Sequence, residues 1–215
     1  MKVYLSPSRQ KHNLYAVGNT NEMDQCYKIG VACIESLRRN KIESEIAFKG
    51  EGTSEVIKDS NLWGADLHVC IHTNAANGKA SGPLIMVYDK KDQKTMAIAN
   101  SIYFMLRDIT LGTNEYGIRE NKELSEIRST KAICIYVECE FHDNPITAQW
   151  IIDYTTEIGD AIAKGICVYL NKDYHARAAE KYYRVQVGAY KNKRNAKNML
   201  EKLEGLGLTG VIVES

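Results

Sequence analysis

The sequence predicts an α/β protein: a single mostly parallel twisted sheet flanked by helices on both faces, plus a small C-terminal β-α-β element. Three observations carry this. Two short apolar runs, one inside Asp66–Ala75 and the other Ala132–Val137, have the length and composition of buried central strands. Segments with apolar residues every three or four positions alternate with such runs over residues 1–170. The final segment, residues 182–215, repeats the strand–helix–strand pattern in miniature.

Taken in order, Lys2–Leu5 is the first expected strand, closed by Ser6-Pro7-Ser8, and a polar loop runs from Arg9 to Asn21. Met23, Cys26, Ile29, Ala32, Cys33 and Leu37 line one face of an amphipathic helix over Glu22–Arg39. Glu43–Phe48 alternates as a strand. Thr53 or Ser54 caps a helix running to about Asn61, stopped by Gly64. After the Asp66–Ala75 run come a strand over Pro83–Tyr88 and a helix over Lys94–Arg107. Asp108–Thr130 reads as a long polar loop with one short strand, and Thr147–Leu170 as a single long helix. These divisions give a domain over 1–170, a linker over 171–181, and the small element, with strands at Tyr183–Val187 and Thr209–Val213 around a helix at Asn192–Leu203. Thirty-four residues are too few to bury a core alone, so the element should pair with something.

Composition narrows the function classes. With 44% hydrophobic and 26% charged residues this is an ordinary globular chain, and a net charge of +1 argues against a dominant nucleic-acid role. From Asn171 onward nine Lys/Arg face five Asp/Glu, against 19 and 22 before it, so a mildly basic tail follows a mildly acidic body. No apolar stretch reaches the roughly 18 residues of a membrane span. The start, Met-Lys-Val-Tyr-Leu-Ser-Pro, lacks the apolar region of a signal peptide, so synthesis in the cytoplasm and a later release are expected. The six cysteines form no Cys-x-x-Cys pair and read as small buried hydrophobes.

Both central runs end in chemistry. The first delivers His72, Thr73, Asn74 and Ala75; the second delivers Glu138, Cys139, Glu140, Phe141, His142, Asp143 and Asn144. Ligands gather at the carboxyl ends of parallel strands. His12, Glu22, His72 and Glu138 therefore stand at element ends that share one rim. Two imidazoles and a carboxylate suit a catalytic zinc ion, and a further carboxylate suits a general base. Spacing alone leaves other readings open. Asn19 and Glu22 have capping-box spacing. His68, Cys70 and His72 share one strand face, on which His68 reads as a hydrogen-bonded core histidine. Glu140 competes with Glu138, His142 suits either an oxyanion or a turn, and Asn74 either substrate or its own loop.

Ile71-His72-Thr73-Asn74-Ala75, followed by Tyr136-Val137-Glu138-Cys139-Glu140-Phe141-His142-Asp143-Asn144, resembles the zinc-dependent N-acetylmuramoyl-L-alanine amidases of phage endolysins and bacterial autolysins. The resemblance spans Met1 to about Leu170. It implies Zn²⁺ ligands at His12, Glu22 and His72 and catalysis by Glu138, and Asn74 beside them is the candidate substrate contact. It also implies hydrolysis of the amide between N-acetylmuramic acid and the L-alanine of the stem peptide, and the expected cytoplasmic synthesis favours a phage endolysin over a secreted autolysin. One departure stands out: Ser6-Pro7-Ser8-Arg9-Gln10-Lys11-His12-Asn13 replaces the family's glycine-rich histidine loop. A catalytically inactive wall-binding protein and a zinc peptidase acting on stem peptides are the alternatives. Tyr183-Arg184-Val185-Gln186-Val187-Gly188-Ala189-Tyr190 resembles the opening of the sporulation-related repeat that binds peptidoglycan. Only half of that module is present, which points to a homodimer completing it. Bacterial peptidoglycan is the implied partner, without nucleic acid or membrane insertion.

Overall fold

The computed structural model describes residues 1–112, 116–178, 187–208 and 212. They fall into two compact units, Met1–Arg177 and Ala178–Ser215.

The first unit carries six strands: β1 (Lys2–Pro7), β2 (Glu43–Ile46), β3 (Leu67–Asn74), β4 (Leu84–Val87), β5 (Gly117–Glu120) and β6 (Ile133–Phe141). Its helices are α1 (Glu22–Arg39), α2 (Thr53–Trp63), α3 (Gln93–Arg107), α4 (Ser125–Ser129), α5 (Pro145–Asp153) and α6 (Thr155–Tyr169). The strands form one sheet in the order β2-β1-β3-β6-β4-β5. Every neighbouring pair is parallel except β4 and β6, which run antiparallel. The mostly parallel sheet expected from the strand–helix alternation is what forms.

Alternation along the central strands sorts their side chains into two layers. Val3, Leu5, Leu67, Val69, Ile71, Ile135 and Val137 join the large core that also holds the apolar faces of α1, α3 and α6. The other face carries Tyr4, Cys70, Cys134 and Tyr136, packed with residues of α2, of α4 and of the segments flanking them. All six cysteines are buried and free, as expected of small apolar side chains.

Several boundaries differ from those the sequence suggests, each for a physical reason. β1 runs two residues past Leu5, because Ser6 and Pro7 pair with Cys70 and Ile71 of β3. Pro7 is tolerated there because β2 stops opposite Leu5, so no ladder bond is asked of its nitrogen on that side. The expected single helix over Thr147–Leu170 is two helices that meet at Tyr154, whose φ of −118° belongs to neither. The expected loop over Asp108–Thr130 contains the short strand foreseen for it, β5, and also the short α4. The chain between 171 and 177, expected as linker, lies on the first unit. Tyr174 Oη meets Ser36 Oγ at 3.0 Å, Asn40 Oδ1 accepts from His175 N at 2.6 Å, and Arg177 pairs with Glu35 at 3.2 Å.

In the second unit α7 (Lys193–Gly205) forms where a helix was expected, with Asn192 Oδ1 accepting from Arg194 N at 2.9 Å as its cap. The two strands expected around it lie almost wholly outside the described residues. Among the described residues, no helix is long and apolar enough to cross a membrane.

Helix α6 is wedged between α1 and α3 by two glycines. A Cβ on Gly159 would stand 2.6 Å from Ile29 O and 2.7 Å from Cys33 N of α1. One on Gly165 would stand 2.6 Å from Ile102 Cα of α3. Because the obstacles are backbone atoms, no rotamer change relieves them. Gly159→Val should therefore destabilise the domain by about 1–3 kcal/mol, the usual cost of overpacking, read as a lower urea midpoint with an unchanged slope.

Candidate active site

The ladder between β3 and β6 places the two signature strand ends together. Leu67 pairs with Ile133, and the register holds residue by residue until His72 stands opposite Glu138. Beyond this point β6 carries one extra residue, so that Asn74 faces Phe141. The bulge separates the two glutamates that the sequence left in competition. Glu140 turns into the protein, where its carboxylate accepts from Gly82 N at 2.7 Å, from Phe141 N at 2.9 Å and from the Thr110 hydroxyl. Its hydrogen-bonding capacity is taken up by these anchors. Glu138 keeps an oxygen, Oε2, that is buried and without a hydrogen-bond partner among the described residues.

Glu22 reaches the same point from α1. The helix is capped by Asn21, whose Oδ1 accepts from Asp24 N at 2.9 Å, so the capping-box reading of Glu22 does not hold. Glu22 is instead the first helical residue, 1% exposed, with Oε1 2.7 Å from His72 Nδ1. Its second oxygen accepts from Asn13 Nδ2 at 2.7 Å. Asn13 also donates to Gln10 Oε1 at 2.7 Å, and Gln10 Nε2 lies 3.4 Å from His72 Nδ1. Gln10, Asn13, Glu22 and His72 thus close a ring. Below it the His72 imidazole stacks on Tyr136, with ring centroids 4.3 Å apart.

The two carboxylates are pushed in opposite directions. Burial lifts the Glu138 carboxyl, and the charge of Glu22 adds to it, bringing the pKa to about 8. Burial also works against ionisation of Glu22, but the His72 bond and charge and the Asn13 amide outweigh it, and its pKa falls below the usual value. Two nearby acids with divergent pKa values are a pattern of acid–base sites. His72 Nε2 is the second buried polar atom here without a hydrogen-bond partner among the described residues.

A separate polar cluster lies one step down the same sheet face. His68 is fully buried, with Nδ1 2.9 Å from Ser60 Oγ and Nε2 2.9 Å from Glu126 Oε2. Glu126, from α4, also accepts from Ser6 Oγ and from the Arg9 guanidinium. Cys70 Sγ lies 3.5 Å from Glu126 and 3.8 Å from Cys134 Sγ. Donor atoms of His68, Cys70 and Cys134 all fall within 4.8 Å of one another. Yet both nitrogens of His68 are engaged and Glu126 is neutralised by Arg9, so this is the hydrogen-bonded core histidine that the alternation suggested. Burial pushes Glu126 up, but His68, Arg9 and Ser6 hold its pKa at about 2.

The remaining sequence candidates divide. His12 is exposed, and among the described residues no hydrogen bond or ion pair joins it to Glu22 or His72. Asn74 Oδ1 accepts from Ala75 N at 2.8 Å, holding its own loop. His142 packs at a turn: Nδ1 meets Thr73 O at 2.9 Å, and the ring stacks on Tyr15. Gln10, Asn13 and Glu126 were not singled out by the sequence. Amides and a glutamate inside a polar loop carry no signal until the fold shows what they touch. Asp143 is another such residue; its Oδ2 accepts from Ala76 N and Gly78 N, both at 2.8 Å, and pins the loop after β3.

A strand-end imidazole and two carboxylates of divergent pKa, on a mostly parallel sheet flanked by helices, define a hydrolase-type site. Residues 3–168 match the family model described as N-acetylmuramoyl-L-alanine amidase, and residues 179–215 match that of the SPOR domain. The chain belongs to the N-acetylmuramoyl-L-alanine amidase family. Its fold is similar to that of the amidase AmiC2 of Nostoc punctiforme, with a TM-score of 0.68 and 18% identity over 80% of this chain and 98% of that one. It is also similar to the catalytic domain of the amidase CwlV from Bacillus (Paenibacillus) polymyxa var. colistinus, with a TM-score of 0.69 and 18% identity over 80% and 100%. The catalytic domain of the CD27L endolysin targeting Clostridia difficile gives 0.65 and 22% over 81% and 99%. Among curated proteins, none matches this chain in sequence.

The Glu126 cluster predicts a pH dependence. A carboxyl lowered from 4.5 to about 2 in the folded state adds stability that is complete above pH 4.5 and lost as pH falls towards 2. The full shift corresponds to about 3 kcal/mol. Glu126→Gln should lower the urea midpoint at pH 6, and the gap to the parent protein should narrow by pH 3.

Proposed function

We propose that the protein hydrolyses the amide between N-acetylmuramic acid and the L-alanine of the peptidoglycan stem peptide, using a zinc ion at Glu22 and His72 and Glu138 as general base. The observation that carries this is the convergence of His72 Nδ1 and Glu22 Oε1, 2.7 Å apart, beside a buried Glu138 oxygen without a hydrogen-bond partner among the described residues. Buried polar atoms without partners point to a bound group that satisfies them. An imidazole and a carboxylate are suitable donors for zinc. Zinc bound there would polarise the scissile carbonyl and make a water acidic near neutral pH.

The chain's own residues supply the rest. Glu22, charged and tied to Asn13, would offer its Oε1 to the ion from the side of His72 Nδ1. Tyr136 holds the His72 ring in plane from below. Glu138 takes one proton from the attacking water as the C–O bond forms, then returns it to the alanine nitrogen as the C–N bond breaks. The high carboxyl pKa of Glu138 would fall towards neutrality beside a cation, which is where a group that both accepts and donates works best. Asn74, at the edge of the β3 tip, is the proposed substrate-side amide. The SPOR match over 179–215 supports peptidoglycan as the polymer that the second unit engages. The likeness to the CD27L catalytic domain supports a lytic, endolysin-type role.

Glu138→Gln should lower wall hydrolysis about 10²–10⁴-fold, the usual worth of a general base, while zinc content by plasma emission stays near that of the parent protein. His72→Ala should lose the metal, and chelator should abolish release of stem peptides from purified walls. Free amino acids among the products, in place of intact stem peptides, would contradict the proposed bond. For the second unit, we propose that two copies pair to complete one glycan-binding module. Sedimentation should then show a dimer that dissociates when residues 178–215 are removed, with weaker wall binding by the truncated protein.

A further inference from the structure

The end of β6 holds the loop after β3 at alternate residues. Asp143 Oδ2 accepts from Ala76 N and Gly78 N, both at 2.8 Å. Asn144 Nδ2 donates to Ala80 O at 3.1 Å, and Glu140 Oε2 accepts from Gly82 N at 2.7 Å. The loop also braces itself, since Asn77 Oδ1 accepts from Lys79 N and Ala80 N, both at 3.1 Å. At its start Asn74 Oδ1 accepts from Ala75 N at 2.8 Å. Both asparagines thus commit their oxygens to backbone and present their amide nitrogens as donors. Asn77 is exposed.

Glu140 does more than close this row. In the antiparallel register of β4 with β6, Leu84 faces Glu138, so Gly82 would face Glu140 two residues on. The ladder stops at Leu84, and the Glu140 carboxylate takes the Gly82 N–H in place of backbone. The same oxygen accepts from Phe141 N at 2.9 Å, the amide at the far side of the β6 bulge. A side chain that satisfies a neighbouring amide in this way competes with the ladder and so supports the bulge. The other oxygen takes the Thr110 hydroxyl, and Thr110 Oγ1 accepts from Gly112 N at 3.3 Å. Gly112 lies so close to the loop that a Cβ on it would stand 2.2 Å from Gly82 N. One fully buried carboxylate thus joins β6, the loop after β3 and the segment after α3.

We propose that Glu140 is a positioning residue for substrate. It holds residues 75–82 and 110–112 as one rigid wall beside Glu138, on which the Asn74 and Asn77 amides receive carbonyl groups of the stem peptide. The proposal rests on the amidase reading above and deepens it. His72 and Glu138 pair before the bulge, so loss of Glu140 should loosen the wall and leave those two residues in register. The effect should therefore fall on substrate binding and not on the chemical step.

The test uses the full chain, with a soluble muramoyl-peptide for kinetics and amide hydrogen exchange for the loop. Glu140→Ala should raise KM about ten-fold, as loss of a substrate hydrogen bond or two would, with kcat within about two-fold. Exchange should quicken across 76–82 while β3 stays protected. Glu140→Gln should bring KM back to within about three-fold of the parent protein. Its amide oxygen can accept from Gly82 N and Phe141 N, and its nitrogen can donate to Thr110 Oγ1. Asn77→Asp keeps the oxygen that braces the loop and removes the donor, so it should raise KM without quickening exchange. That variant also decides the matter if Glu140→Ala does not fold. A parental KM in Glu140→Ala or Asn77→Asp, a loss confined to kcat, or a Glu140→Gln protein as poor as Glu140→Ala would overturn the proposal and leave the amidase intact. Unchanged exchange in Glu140→Ala would overturn the clamp itself. A parent protein that releases no stem peptides would overturn the amidase reading and the substrate role with it.

Discussion

The parallel pairing of β3 with β6 is the constraint from which the site follows. Six consecutive residues from Leu67 match six from Ile133, and this register alone sets His72 beside Glu138. A slip of β6 by one residue would turn Glu138 to the opposite face of the sheet from His72. The slip is prevented by what the two faces hold. On one side Leu67, Val69, Ile71, Ile135 and Val137 fill the main core. On the other, Cys70, Cys134 and Tyr136 pack with Ile127. The apolar residues that define the strands therefore also define the geometry of the candidate site.

Along that second face polar groups change character with depth. His68 and Glu126 are saturated with partners and lock β1, β3 and α4 together around the Arg9 charge. Further along, at the strand ends, His72 and Glu138 each retain a buried atom without a partner among the described residues. The saturated cluster stabilises; the unsaturated one is suited to bind and react. Burial raises the pKa of Glu138, while His72 and Asn13 keep Glu22 ionised, so one shared environment sets two carboxylates to different tasks.

Much of this was legible in the sequence. Apolar runs, alternation and helical spacing located five of the six strands of the first unit and the helices α1, α2 and α3, because burial there is periodic and leaves its trace in residue type. The strand-end residues His72 and Glu138 could be named because an apolar run that stops abruptly in polar residues delivers them to the rim of a sheet. What escaped depended on contacts between distant segments. Helix α4 is five residues long inside a polar stretch, and nothing in Ser125–Ser129 announces that Glu126 will meet Arg9 and His68. The β6 bulge, which sets Glu138 apart from Glu140, is a property of two strands together. The exposure of His12 is likewise set by backbone bonds among Gln10, Asn13 and Glu22, which no residue type announces.

The glycine contacts of α6 have a bearing on the candidate site as well as on folding. Gly159 brings the backbone of α6 against that of α1 at Ile29 and Cys33, two and three turns from Glu22. Helices in such contact move as one body, since no side chain between them can yield. The position of the Glu22 carboxylate is therefore registered against the back of the core, through α1 to α6 and on to α3 at Gly165. Repacking this interior, even with apolar residues of suitable volume, would retune the distance between Glu22 and His72. In this protein the hydrophobic interior acts as a calliper on the candidate site.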